Sequence, residues 1–205
     1  MSLIFHYAPM TSAVRVYWAL EELGVPFEKR RVDLAKGEQR TPEFLAQNPN
    51  GKVPLLVADG APIFESLAIL LYLGERYGVE RGLFPEAGAE RAAVVTWMCW
   101  AQVSLAEAAT RVLRNTSDRV PADERNEKAA AAALKELHEL LSIVDRALEG
   151  KEYLVGAAFS FADLAITGYA SFFAYLGVDV SKLANVQAWF KRCTTRPALA
   201  RAMQS

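Results

Sequence analysis

The segment that decides the fold is Gly51–Ser66, with the sequence GKVPLLVADGAPIFES. Two short apolar runs flank Asp59-Gly60, a dipeptide that favours tight hairpin turns, so the segment predicts two antiparallel strands. Pro54 stands at the start of the first strand, where it donates no backbone hydrogen bond. Glu65 and Ser66 then open an apolar run of helical character. The hairpin therefore has a proline at its beginning and an acid–serine pair at its end.

The composition excludes several classes of protein. The 205 residues suffice for one large domain or two small ones, and 52% hydrophobic residues indicate a compact soluble protein. A formal net charge of −1 offers no basic surface for nucleic acid. No run of about 18 apolar residues is present to span a membrane, and the N-terminus lacks the pattern of a secretory signal. We therefore expect a cytoplasmic protein with no nucleic-acid or membrane partner.

Cysteine and histidine are sparse. Cys99 and Cys193 lie far apart and form no CxxC pair, which argues against a disulfide scaffold and a thiol–disulfide motif. His6 and His138 are the only histidines, so the sequence contains no recognisable metal-ligand cluster. We expect neither a metal nor a resident cofactor.

Short strands and helices alternate before residue 80. The expected order β-α-β-α-β-β-α predicts a small mixed sheet with helices on its faces. Its predicted elements are a strand at Leu3–Tyr7, a helix at Ser12–Leu23, a strand at Phe27–Asp33, a short helix at Thr41–Gln47, the hairpin, and a helix at Glu65–Tyr77.

Strand patterns are absent after about residue 88. The helices predicted there are Ala89–Arg114, Asp123–Leu148, a third from the capping-box sequence Ser160–Asp163 to about Leu176, and the shorter Asn185–Cys193 and Pro197–Ala202. The chain is therefore expected to divide into an α/β domain over residues 1–80, a linker over 81–87 and an all-α bundle over 88–205.

Four motifs carry a family resemblance: YAPMTSAVRVYWALEELG (7–24), NPNGKVPLL (48–56), FESLAILLYLGERYG (64–78) and GAAFSFADLAI (156–166). In this order and spacing they resemble the cytosolic glutathione S-transferase family, with its bacterial beta- and theta-like members, over nearly the whole chain. The resemblance implies a thioredoxin-like N-terminal domain with a helical C-terminal bundle. It also implies a homodimer, detoxification chemistry, and the tripeptide glutathione as co-substrate.

The resemblance also implies roles for the hairpin segment. The family's counterpart of Pro54 follows a cis peptide bond, which turns the N–H and C=O of Val53 toward the cysteinyl backbone of an extended peptide. Glu65 and Ser66 begin a helix whose positive end suits the α-carboxylate of the γ-glutamyl group. Ser66 would donate to that carboxylate and Glu65 would accept from the ammonium group. An edge strand and ordinary helix capping would explain the same residues.

Three further residues are candidate glutathione contacts, each with an ordinary structural alternative. Lys52 and Asn50 stand beside the hairpin's first strand and are candidates for the glycyl carboxylate, although a solvated loop lysine is a common alternative. Arg15 either faces the same cleft or pairs with a glutamate on the neighbouring turn of its helix.

Activation of the glutathione thiol requires a hydrogen-bond donor, which the resemblance places in the turn after the first strand. A free thiol has a pKa of about 8.5 and reacts as thiolate, so a hydroxyl donor near a helix N-terminus would favour the reactive form. Ser12 aligns with the cysteine of beta-type members, and Thr11 with the serine or threonine of many other bacterial members. The serine of theta- and phi-like members aligns nearer Met10. As the hydroxyl that donates to the thiol, we rank Ser12 first, Thr11 second and Tyr7, which ends the strand, third. The alternative role of Ser12 and Thr11 is to cap the N-terminus of the first helix.

The second substrate is expected to be an electrophilic, partly apolar small molecule. Its predicted contacts are Met10, Trp97, Trp100, Val103 and Ser104, although a tryptophan pair three residues apart is also typical of a helical core. We expect a glutathione transferase. The alternatives are a glutathione-dependent isomerase, peroxidase or dehalogenase on the same fold, and a non-catalytic scaffold or ligand-binding protein. The intact Val53-Pro54 and Glu65-Ser66 elements favour an enzyme, because a scaffold has no need for a tripeptide site.

Overall fold

The structure is a computed structural model that describes residues 2–204, so that Met1 and Ser205, the outermost residues of the two predicted domains, lie outside it. The described residues up to Glu86 and from Arg196 onward form one compact unit, and Ala87–Thr195 form another. The first unit contains a mixed sheet with helices and the second is helical. These two units agree with the α/β N-terminal part and the all-α C-terminal part that the sequence predicts.

The elements of the first unit are β1 (Leu3–Tyr7), α1 (Ala13–Leu23), β2 (Glu28–Arg31), α2 (Pro42–Leu45), β3 (Leu55–Ala58), β4 (Ala61–Phe64) and α3 (Ser66–Leu73). Those of the second are α4 (Ala89–Trp100), α5 (Ala106–Thr116), α6 (Glu127–Ala147), α7 (Phe161–Thr167), α8 (Ala170–Tyr175) and α9 (Ala184–Thr194). A last helix, α10 (Pro197–Met203), belongs to the first unit.

The sheet has the strand order β2-β1-β3-β4. β1 pairs in parallel with β2 and antiparallel with β3, and β3 pairs antiparallel with β4. Alternate residues of β1 serve opposite faces. Phe5 and Tyr7 lie against Tyr17 of α1, with ring centroids 5.7 Å apart in each pair. His6 packs edge-on against Phe44 of α2, so both faces of the sheet are covered.

The register places the ends of three strands at one edge of the sheet. His6 lies opposite Leu55, and Leu55 lies opposite Phe64. β1 and β4 end at this edge, whereas β3 begins there because it runs the other way. The helices that follow β1 and β4 therefore start beside the residues that lead into β3. We call the resulting group the sheet-edge site: residues 8–15, 48–54, 65 and 66.

The C-terminal helix α10 is tied to α1 by ion pairs. Arg196 donates to both carboxylate oxygens of Glu22, at 2.6 and 2.8 Å, and the indole of Trp18 also donates to Glu22 at 2.9 Å. Arg201 donates to Glu21 at 2.6 Å. The sequence groups α10 with the helical residues that precede it, because no local pattern shows these contacts.

Several helix predictions were wrong in their boundaries, including the one over Glu65–Tyr77, since α3 ends at Leu73 and a π-helical turn follows at Gly74–Gly78. A π-helical turn at Ala101–Leu105 interrupts the helix predicted over 89–114. The helix predicted from Ser160 to Leu176 is two helices, α7 and α8, separated near Gly168. α6 begins at Glu127 and not at Asp123, because the side chain of Asn126 caps it by accepting from the Ala129 N–H at 3.0 Å. Within residues 2–204 no helix combines the length and apolarity that a membrane crossing requires.

Asp163 is the polar centre of the second unit and is fully buried. It accepts from the N–H groups of Leu154 and Ser160, from the Ser160 hydroxyl and from the Trp189 indole, at 2.8–3.1 Å. Together with Ser160 it forms the capping box predicted from the sequence. Burial raises the pKa of Asp163, and the hydrogen bonds oppose that rise. One carboxylate thus joins α7, α9 and the segment before α7.

Asp163→Ala is expected to lower the free energy of unfolding by about 3–5 kcal/mol, because several buried donors would lose their acceptor. Trp189→Phe removes only one of these bonds, and we expect a loss of about 1–2 kcal/mol. Urea unfolding monitored by circular dichroism measures both values. A loss below about 1 kcal/mol for Asp163→Ala would contradict the central role of this carboxylate.

Candidate functional site

The sheet-edge site brings together the residues that the sequence singles out for glutathione. Ser12 precedes α1, Val53 and Pro54 lead into β3, and Glu65 and Ser66 start α3. The Val53-Pro54 peptide bond is cis, as the resemblance implies. Neither the N–H nor the C=O of Val53 bonds to another of the described residues 2–204. These two groups are therefore free to pair with a ligand.

A buried asparagine shapes the turn that carries Val53. Asn48, 2% exposed, donates from Nδ2 to the Lys52 carbonyl at 2.6 Å and accepts at Oδ1 from the Asn50 N–H at 3.1 Å. Gly51 in this turn has a φ of +58° and lies against Arg40, whose Nη1 is 2.8 Å from the position of a Cβ. No local pattern in the sequence marks Asn48 or Arg40 as part of the site, although the dipeptide Asn50-Gly51 is a recognisable turn signal.

Glu65 joins the two ends of the hairpin segment. Its φ of +69° is uncommon for a residue other than glycine, and such strain is frequent at binding sites. Its carboxylate accepts from the Asn50 side-chain amide at 3.1 Å. Asn50, which the sequence offers as a contact for the glycyl carboxylate, is thus hydrogen-bonded to Glu65 through its side-chain amide. Lys52 is exposed, and the Nη1 of Arg40, 3.5 Å from the Asn50 carbonyl, adds a second cation to this loop.

Ser66 is buried, and its partner comes from α1. The hydroxyl oxygen accepts from Nη2 of Arg15 at 3.0 Å, and the two residues are 5% and 4% exposed. Arg15 therefore contacts Ser66 at this site, which is one of the two positions that the sequence leaves open for it. Ser66 also begins α3, where free backbone N–H groups create a positive end.

The two hydroxyls of the β1–α1 turn differ in their bonding. Thr11 donates to the Ala8 carbonyl at 2.7 Å and accepts from the Ala13 N–H at 3.2 Å, so its hydroxyl serves the turn itself. Ser12 is exposed at the start of α1 and its side chain makes no capping bond. Met10, 92% exposed, has a φ of +58°. In this structure the Ser12 hydroxyl, and not that of Thr11, is free to meet a ligand.

Tyr7 lies in the aromatic core. It is buried, stacks on Phe5 at 5.6 Å and contacts Tyr17. Burial and, to a smaller extent, the nearby Arg30 lower the pKa of His6. Tyr7 is buried and His6 is partly buried, so neither side chain is freely exposed.

Of the residues predicted to contact the electrophile, Met10 belongs to the first unit and the other four belong to the second. Trp97 and Trp100 of α4 meet edge to face, with centroids 5.3 Å apart. Val103 and Ser104 lie in the π-helical turn, and Val103 is exposed. π-helical turns are common at functional sites. In the first unit a cleft of about 590 Å³ opens beside the β1–α1 turn, lined by Ala8, Pro9, Arg31, Val32, Asp33, Leu34 and Glu38.

The arrangement suits an extended, zwitterionic peptide. A backbone N–H and C=O can pair with its main chain, a helix N-terminus and Ser66 can hold a carboxylate, and Glu65 can hold an ammonium group. Among residues 2–204, no cluster of three or more histidine, cysteine, aspartate or glutamate side chains could hold a metal ion. The polar groups of the site offer a ligand hydrogen bonds and electrostatic stabilisation.

Two family models match the chain. Residues 1–75 match the glutathione S-transferase N-terminal domain, and residues 96–197 match the glutathione S-transferase C-terminal domain. The first model includes the whole hairpin segment and both helix N-termini of the sheet-edge site. The second includes Asp163 with its capping box.

Relatives resemble the chain over nearly its full length. The glutathione S-transferase GstB of Escherichia coli K12 is 34% identical over 92% of this chain and 91% of its own. A sphingomonad glutathione S-transferase solved with glutathione is 29% identical, with a TM-score of 0.85 over 98% of this chain and 97% of its own. The transferase URE2P8 of Phanerochaete chrysosporium, solved with oxidized glutathione, is 25% identical, with a TM-score of 0.90 over 99% of this chain and 94% of its own.

Proposed function

The chain belongs to the glutathione S-transferase family, and from this premise we propose that it binds glutathione at the sheet-edge site and adds its thiolate to an electrophilic, partly apolar small molecule. One observation carries the proposal. The unpaired N–H and C=O of Val53 lie at the same sheet edge as the N-terminus of α3, which begins with Ser66. That edge offers a main-chain partner and a carboxylate site to one short peptide.

In the proposed complex the cysteinyl residue of glutathione pairs with Val53 as an added strand would. The α-carboxylate of the γ-glutamyl group accepts from Ser66 and from the free N–H groups of α3. The ammonium group donates to Glu65, and the cations Lys52 and Arg40 are close to the glycyl end. Support comes from the sphingomonad relative, which was solved with glutathione.

Ser12 is the proposed activating donor. Lowering a thiol pKa by about two units requires about 2.7 kcal/mol of preferential stabilisation of the anion. A hydrogen bond to a charged group contributes about 1.5–3 kcal/mol, and the positive end of α1 adds to it. Thr11 ranks second because its hydroxyl already donates to the Ala8 carbonyl.

The remaining expectations from the sequence stay predictions. They are the homodimer, the division into a glutathione-binding domain and a helical domain, the electrophile contacts, and the use of glutathione without a further cofactor. The electrophile itself is described only by class, as a partly apolar molecule that a thiolate can attack.

We expect the purified protein to be retained on immobilised glutathione and to conjugate glutathione to a chloronitroaromatic electrophile. Elution by free glutathione and the rise in absorbance of the thioether product measure the two properties. No binding at millimolar glutathione would refute the proposal. Binding without turnover, for a panel of electrophiles of different classes, would favour a ligand-carrying protein.

Ser12→Ala is expected to raise the kinetic pKa of the bound thiol by about 1–2 units and to lower kcat, because the thiolate would lose one charged hydrogen bond. Glutathione binding should persist, since Ser12 is not among its proposed backbone or carboxylate contacts. The dependence of kcat on pH measures this shift. Thr11→Ala is the matched control, and a shift in Thr11→Ala with an unchanged profile in Ser12→Ala would reverse the assignment.

A further inference from the structure

Arg31 differs from the other charged residues of β2 in having no side-chain partner. β2 is exposed over its whole length. Arg30 donates to Glu28 at 2.7 Å, and Lys29 donates to the Tyr17 hydroxyl at 2.7 Å. The guanidinium of Arg31 forms no hydrogen bond or ion pair with another of residues 2–204. Because a guanidinium has five N–H donors and no acceptor, these donors are available to an anionic ligand.

Arg31 lines the cleft of about 590 Å³ that opens beside the β1–α1 turn. This volume lies within the range of about 300–1,000 Å³ that is common for small-molecule pockets. The lining also includes the apolar side chains of Pro9, Val32 and Leu34, and Leu34 is 39% exposed. The cleft therefore offers one cation and an apolar surface to a small molecule.

The cleft shares the β1–α1 turn with the proposed activating donor. Ala8 lines the cleft, and its carbonyl accepts from the Thr11 hydroxyl at 2.7 Å. Ser12 follows Thr11 directly and precedes α1. One wall of the cleft is thus bonded to the residue next to Ser12. A small molecule in the cleft would lie beside the turn at which the thiolate is proposed to form.

The two carboxylates of the cleft are bonded within the protein. Asp33 accepts from the N–H groups of Ala35 and Lys36, at 3.0 and 3.2 Å. It also pairs with the Lys36 ammonium group at 3.3 Å. Glu38 accepts from the Asp33 N–H at 2.7 Å. Both carboxylates hold the loop that follows β2, whereas the donors of Arg31 are left to a ligand.

We propose that Arg31 is a specificity-determining residue that makes the cleft prefer electrophiles with a carboxylate on an apolar ring. This inference rests on the proposed function, which places the thiolate at the β1–α1 turn. A guanidinium can donate two parallel hydrogen bonds to one carboxylate, and the apolar lining can contact the ring. Arg31 thus narrows the second substrate from a partly apolar electrophile to an acidic one.

The test compares 4-chloro-3,5-dinitrobenzoate with its neutral amide. In both reactions the glutathione sulfur bonds to the carbon that bears chlorine, chloride leaves with the bonding electron pair, and the thiol proton passes to solvent. Arg31→Met should lower kcat/KM for the acid about 3- to 10-fold, the scale of a partly exposed hydrogen bond between charged groups. The amide should keep its kcat/KM. Each compound is compared with itself across variants, so the difference in their intrinsic reactivity cancels.

Further variants separate the charge of Arg31 from a structural effect. Arg31→Lys should retain part of the rate with the acid, whereas Arg31→Glu should lower it below that of Arg31→Met through like-charge repulsion. Added salt should lower kcat/KM for the acid in the unmodified protein more than in Arg31→Met, because salt screens the attraction. Arg30→Met is the matched control and should leave both rates unchanged, since Arg30 pairs with Glu28 on the same strand.

Equilibrium binding makes the test independent of turnover. The 4-methyl analogues of the acid and the amide carry no leaving group, and calorimetry measures their binding to the glutathione-loaded protein. Arg31→Met should weaken the acid about 3- to 10-fold and leave the amide unchanged. An equal change for both compounds, or no change for the acid, would overturn the inference. Failure of the unmodified protein to bind glutathione would instead refute the proposed function, so the two failures are distinguishable.

Discussion

The antiparallel pairing of β1 with β3 is the constraint on which the site depends. It sets His6 opposite Leu55, and thereby places Pro54 beside the end of β1. Because β4 runs antiparallel to β3, it ends at the same edge, and Ser66 starts α3 there. Residues more than fifty positions apart in the sequence thus become neighbours without a long loop. A shift of one residue in this register would also exchange the two faces of β3.

The polar groups at this edge of the sheet fall into two sets: those that hydrogen-bond within the protein and those that are available to a ligand. Asn48 and Thr11 use their side chains to hold the backbone of two turns. The N–H and C=O of Val53, the hydroxyl of Ser12 and the proton of Ser66 have no such structural duty within residues 2–204. An unpaired polar group is costly where it is buried, as the Ser66 hydroxyl is, whereas the exposed Ser12 hydroxyl is simply accessible to a ligand.

Local signals in the sequence predicted most of the fold and several parts of the site. Asp59-Gly60 fixed the hairpin, and the spacing of Ser160 and Asp163 fixed the capping box, since both depend on neighbours within a few residues. The π-helical turn at Ala101–Leu105 was missed because one extra residue hardly changes the apolar periodicity. The ion pairs of Arg196 and Arg201 with α1 and the burial of Arg15 could not be predicted, because their partners are distant in sequence. The sequence ranks Ser12 before Thr11 by alignment alone, and it could not show that the Thr11 hydroxyl bonds within its own turn.

The most direct measurement is a crystal structure of the protein with glutathione bound. We predict that the cysteinyl N–H and C=O lie within hydrogen-bond distance of the Val53 backbone and that the α-carboxylate contacts Ser66 with Arg15 behind it. We also predict that the sulfur lies closer to the hydroxyl of Ser12 than to that of Thr11. A tripeptide bound away from Val53, or one whose γ-glutamyl carboxylate points away from the N-terminus of α3, would contradict this description of the site.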